Sequence, residues 1–177
     1  MSTSPLRIFN LFAYQIAWFA CVLGAARDLA WAGAALALVA TAVHLALHRD
    51  WRELRLILCA SAIGFLVDTI LARTDVVVFE STAWSGFAPL WMVSLWMVFA
   101  TTLNHSLSWL SSRPLLAALA GAIGGPLAYL AGAKLGALSI VMSAPALSLT
   151  ASLWAVAVAL LALLTTRSES ADQRVPA

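Results

Sequence analysis

Six times along this chain a run of mostly apolar residues, long enough to cross a bilayer, ends at a short polar break. A helix rises about 1.5 Å per residue, so about twenty such residues span the ~30 Å hydrocarbon layer. In lipid, every backbone N–H and C=O must find a partner inside the protein, which leaves helices and closed barrels as the spanning forms. These runs are too long for barrel strands, which need about 9–11 residues. The expectation is an all-α, polytopic membrane bundle. Its spans are read at 8–26, 29–47, 54–72, 88–110, 115–133 and 146–166, in one integral membrane domain over 1–177 with a polar tail at 167–177. Charged residues make up only 10% of the chain and hydrophobic ones 63%. A soluble domain carries about 25% charged residues, so a soluble fold is excluded.

The breaks are Arg27-Asp28, His48 to Arg55, Arg73 to Ala88, Ser111 to Pro114 and Lys134 to Pro145. The stretch LGALSIVMSA in the last break is apolar but too short to span, and reads as a re-entrant or interfacial piece. The 73–88 loop contains a β-prone VVVF. Arg7, an apolar run and Gly24-Ala25-Ala26 mimic a signal peptide, but Asn10, Tyr14 and Gln15 interrupt the run, so it reads as a retained first helix. Cys21 and Cys59 lie in apolar helices without a CxxC motif, which argues against a disulfide framework or a zinc knuckle.

Positive charge sets the orientation. With the N-terminus in the cytoplasm, the inner segments hold Arg7, Arg49, Arg52, Arg55, Arg113, Arg167 and Arg174, and the outer ones only Arg27, Arg73 and Lys134. Both termini are therefore expected inside. Trp84 and Trp91 then fall at the outer interface, and Trp51 and Trp109 at the inner one. A formal charge of +2 gives no reason to expect a nucleic-acid partner.

Helical periodicity sorts the polar residues onto inward faces. On the first helix, Asn10, Tyr14, Ala17, Cys21 and Gly24 share a face opposite Phe12, Ile16, Phe19 and Leu23, while Gln15 lies off it and needs a second neighbour. On the second, Gly33, Ala37, Ala40, His44 and His48 align. On the third, Glu53, Ile57, Ser61, Gly64 and Asp68 align. On the fourth, Ser94, Thr101, His105 and Ser108 face inward with Asn104 at the edge, and Met92, Trp96, Phe99, Leu103, Leu107 and Leu110 face lipid. Small residues on such faces let membrane helices approach closely. In the fifth, Gly124-Gly125-Pro126 falls mid-span, where proline removes a backbone donor; it is either a packing kink or a break lining a cavity beside Tyr129.

Intramembrane ionisable groups carry the candidate chemistry. Asp68 either pairs with Arg73 or Arg27 to fix packing, or serves a proton or a substrate. His44 and His48 form HLALH, an i, i+4 pair that can chelate a metal, with Glu53 and His105 toward the same side; the pattern alone is weak, and His48 is equally readable as a loop residue at the interface. His105 is either a core hydrogen-bonding group or an acid/base. Glu53, early in its helix, also suits the positive end of the helix dipole. No nucleophile elbow, P-loop, dinucleotide fingerprint or HExxH occurs, and no cofactor is named by any motif.

The stretches FNLFAYQIAWFACVLGAA, HLALH with Glu53, GFLVD, PLWMVSLWMVFATTLNHSLSWL and GGPLAYLAG together resemble a family of small bacterial inner-membrane proteins catalogued as a domain of unknown function. The resemblance covers residues 8 to 165. It implies a multi-pass inner-membrane protein and carries over no catalytic residues. Members of that family are encoded near proteins similar to cyclopropane-fatty-acid synthases and flavin amine oxidoreductases, which implies membrane lipid modification. The leading expectation is an accessory protein or small enzyme of that kind, with membrane lipids as partners and His105, Asn104, His44 and Glu53 at its site. The alternatives are a small-solute or proton-coupled transporter or channel using Asp68, Tyr129 and the Gly124-Gly125-Pro126 break, with Asn10, Tyr14 and Gln15 as further binding residues, and a scaffold for membrane-protein partners. The sequence leaves the oligomeric state open.

Overall fold

The computed structural model describes residues 4–80 and 86–172. Among them are the helices α1 (Ser4–Ala25), α2 (Ala30–His48), α3 (Trp51–Arg73), α4 (Leu90–Leu103), α5 (Pro114–Lys134) and α6 (Ala144–Asp172). Five of these, all but α4, are long and apolar enough to cross a membrane.

Local chemistry sets the turns. Arg49 adopts a left-handed conformation (φ 47°) and its N–H returns to Leu45 O, closing α2. Asp50 then caps α3, accepting from Arg52 N at 2.9 Å, and Glu53 sits in the first turn, where an acid meets the positive end of the helix dipole. At the α1–α2 contact, a Cβ on Gly33 would lie 2.5 Å from Ala20 O, so only glycine permits this approach.

The order of the helices along the bundle follows from long-range bonds. Asn10, early in α1, bonds to Thr101 late in α4. His44, late in α2, pairs with Glu53, early in α3. One end of the bundle therefore gathers the starts of α1 and α3 and the ends of α2 and α4. At the opposite end, β1 (Val77–Phe79) follows α3 and β2 (Leu138–Ile140) follows α5. They pair antiparallel, with Val77 opposite Ile140 and Phe79 opposite Leu138. The segment expected as re-entrant or interfacial is thus half of a β-ribbon, because a β-prone VVVF partner lies within reach.

Three expectations for the fourth span are corrected. Its helix stops at Leu103, and residues 104–107 turn before a short 3₁₀ segment at Ser108–Leu110. The hydroxyls of Thr101 and Thr102 donate to Val98 O and Phe99 O, and the N–H groups of His105 and Leu107 both return to Thr102 O. These bonds compete with continued helix. Second, α4 has no lipid face over most of its length: it packs on α1, α2 and α3 and touches α6, so Met92, Trp96 and Leu103 are buried rather than exposed, as is Leu110 beyond it, against Ala117 and Val158. Third, Trp91 is not an interfacial anchor; it is buried, edge-on to Phe79 at 5.9 Å between centroids. Trp84 lies outside the described residues. Trp51 and Trp109 are exposed.

The faces of the first three helices match the periodicity. Ala17, Cys21, Ala37, Ile57 and Asp68 are buried, while Phe12, Ile16 and Phe19 point outward. The last helix runs further than the expected span, to Asp172; the rest of the polar tail lies outside the described residues.

A histidine–carboxylate cluster as candidate functional site

The ends of α2 and α4 and the start of α3 bring four polar side chains around one carboxylate. Glu53, 6% exposed, holds its Oε2 3.1 Å from His44 Nε2. Asn104 Nδ2 donates to Glu53 Oε1 at 2.9 Å. His105 Nε2 lies 3.3 Å from the same oxygen, an ion-pair distance, but without hydrogen-bond alignment, so this buried nitrogen has no hydrogen-bond partner. His48 completes the group: its ring centroid is 4.4 Å from those of His44 and His105, which are 5.0 Å from each other. One ring nitrogen from each histidine lies within 4.8 Å of the other two.

The turn after Leu103 makes this possible. Had α4 continued, Asn104 and His105 would point 100° apart; the turn lets both reach Glu53. Asn10 of α1 buttresses the same turn, donating to Thr101 O at 3.3 Å and accepting from Ser106 Oγ at 2.6 Å. Beside the cluster is a cavity of about 480 Å³. Its lining includes the polar Asn10, His44, His48, Thr101, Asn104 and His105 and the apolar Phe9, Ala13, Val43, Leu47 and Val98. This combination offers proton acceptors, amide hydrogen bonding and an apolar enclosure, and its imidazoles are suited to holding a metal ion.

The second group of expected residues does not form an open site. Asp68, wholly buried, accepts from Trp96 Nε1 at 2.9 Å and from Tyr129 OH. Among the described residues its partners are these two, not Arg73 or Arg27; Arg73 Nε instead donates to Gly86 O at 2.9 Å. Trp96 stacks on Trp154 with centroids 4.5 Å apart. The space beside Tyr14, Trp96 and Tyr129 is only about 40 Å³. This carboxylate thus has its hydrogen bonds met by two donors fixed within the bundle. Gly124-Gly125-Pro126 does not break α5, which runs unbroken from Pro114 to Lys134; Gly125 abuts Trp154 and Gly124 faces open space. Gln15 is exposed, away from both groups, and Tyr14 packs on Phe99.

The sequence thus brings His105, Asn104, Glu53, His44 and His48 into one cluster. It separates Asn10, which joins that cluster, from Asp68 and Tyr129. Asn10's place was available from topology alone, since the start of α1 and the end of α4 fall at the same end of an alternating bundle. Ser106 was missed as a partner of Asn10 because helical periodicity does not describe a turn, and Thr101 because periodicity gives an inward face but not the helix it meets.

No curated protein and no solved structure is found to match this chain. The sequence matches one family model over residues 7–160, most of its length, and the chain therefore belongs to the family described as "Protein of unknown function (DUF2878)".

Proposed function

We propose that this is a six-pass protein of a bacterial inner membrane, both termini cytoplasmic, that acts as a small enzyme or accessory protein of membrane lipid modification. Its working residues are His105, Asn104, Glu53 and His44, with Asn10 positioning the turn that carries the first two. The excess of arginines at the end that holds the cluster supports the orientation. α4 has too few residues to cross unaided, and the turn and 3₁₀ segment after it complete the passage.

The observation that carries the reading is the cavity at the cluster. Its lining combines polar and apolar side chains, which suits a molecule with a polar head and a hydrocarbon tail. A solute path through the bundle centre has no comparable support, because Asp68 is closed in by Tyr129 and Trp96.

The test is total-lipid mass spectrometry of a deletion strain complemented with wild type, His105→Ala or Asp68→Asn, each matched for protein level in the membrane. The expected result is a shifted lipid class restored by wild type and Asp68→Asn but not by His105→Ala. An unchanged lipid profile in the deletion strain overturns the reading.

A further inference from the structure

The chain contains three histidines, and all three converge at the rim of the cavity, His44 and His48 from α2 and His105 from the turn after α4, more than fifty residues later. Close packing of three imidazoles has a cost that ordinary core packing does not explain. His48 shows this most clearly. It is exposed at the last position of α2, forms no hydrogen bond among the described residues, and still turns its ring toward the other two. His105 Nε2 is buried without a hydrogen-bond partner.

We propose that His44, His48 and His105 bind a divalent transition-metal ion of zinc type, with Glu53 and Asn104 as its supporting layer and a fourth position open to the cavity. Three neutral imidazoles are a donor set for borderline metals such as zinc, copper, iron or nickel, not for magnesium or calcium. Three protein ligands with one free position is the arrangement of catalytic rather than structural zinc. Tetrahedral binding at about 2.0–2.1 Å per nitrogen brings the ligand atoms to roughly 3.3 Å from one another. The present nitrogens, within 4.8 Å, need small ring rotations to reach that, and His48, at an exposed helix end, is free to make the largest. Glu53 supplies what a metal-bound histidine requires: a carboxylate that accepts from Nε2–H of His44, fixes the tautomer and leaves Nδ1 for the ion. Asn104 in turn holds the carboxylate.

This inference rests on the same site as the lipid reading but is tested independently of it. The full chain, purified in detergent without a histidine tag and stripped by chelator, is titrated with Co(II) and then with Zn(II). The expected result is one Co(II) per chain, with the intense visible absorption of low-coordinate cobalt, displaced by zinc. His48→Ala, which removes an exposed side chain outside the hydrogen-bonded network, weakens binding at least tenfold, and so does His105→Ala. Glu53→Gln keeps the stoichiometry and weakens binding 10–100-fold. No Co(II) binding by wild type, or unchanged affinity in a folded His48→Ala protein, overturns the inference. A metal-free protein whose loss still shifts the lipid profile sinks the metal and spares the lipid reading; a metal-binding protein whose loss leaves lipids unchanged does the reverse.

Discussion

Gly64→Ala tests the centre of the bundle with a single methyl group. A Cβ at Gly64 would lie 2.0 Å from Trp96 Cγ, 2.2 Å from Cδ1 and 2.3 Å from Cδ2. Ordinary contact begins at 3.4 Å, so the indole must retreat by about 1.4 Å (3.4 minus 2.0) or α3 and α4 must separate. Neither is easy. The far side of the indole stacks on Trp154 at 4.5 Å, Phe99 meets it edge-on at 6.0 Å, and its Nε1–H is tied to Asp68 at 2.9 Å. Overpacking of this kind costs about 1–3 kcal/mol, and loosening a donor from a buried carboxylate adds about 1–2 kcal/mol. The total of about 2–5 kcal/mol corresponds to a fall in Tm of about 5–20 °C for a chain of this size. The assay is thermal unfolding in detergent followed by tryptophan fluorescence. A second substitution makes the test specific: Trp96→Ala removes the atoms that clash, so the double variant Gly64→Ala/Trp96→Ala should lose less than the sum of the two single losses, by at least ~1 kcal/mol. A Gly64→Ala protein melting as wild type does, or strictly additive single losses, refutes the packing of α3 on α4 described above.

Two further outcomes are expected. Gly124→Ala and Gly125→Ala, neighbours in α5, should have opposite effects: the first meets open space and gains about 0.5–1 kcal/mol from better helix propensity, while the second places a methyl 2.2 Å from Trp154 Cγ and destabilises, both read by the same unfolding assay, with equal effects counting against the α5–α6 contact. The β-ribbon and the orientation are tested together by Val77→Cys/Ile140→Cys, which face each other across the strands and should form a disulfide spontaneously in an oxidising periplasm; a pair that crosslinks only after oxidant is added to the purified protein keeps the ribbon and reverses the orientation.

The sequence spoke most clearly where a helix has one face toward lipid and one toward protein. On α1, the alternation of Asn10, Ala17 and Cys21 with Phe12, Ile16 and Phe19 is a contrast that 3.6-residue periodicity is built to detect, and the same holds for Glu53, Ile57 and Asp68 on α3. It failed on α4 for a physical reason. A helix packed against three or four others is buried nearly all round, so Trp96 and Met92 carry no signal distinguishing a lipid face from a protein face. The end of α4 was equally hidden, since no glycine or proline marks it and the stop comes from hydroxyl and amide side chains at Thr101, Thr102 and Asn104. The donors to Asp68 were missed because arginines nearby in sequence looked like sufficient partners, whereas Trp96 and Tyr129 arrive from distant helices. The histidine cluster was half visible: HLALH and Glu53 are local, but His105 joins them only through the turn.

The shortness of α4 changes what kind of place the cluster occupies. Fourteen residues make a helix about 21 Å long, roughly 9 Å less than the hydrocarbon layer. In the proposed six-pass topology the remaining depth falls to irregular backbone, which a bilayer tolerates only where protein or water screens it. α1, α2 and α3 form such a screen, and the histidines sit at its inner edge. Under the proposed six-pass topology the site would be a recess let into one leaflet rather than a patch on the membrane surface, where polar chemistry can meet a hydrocarbon chain without drawing that chain out into water.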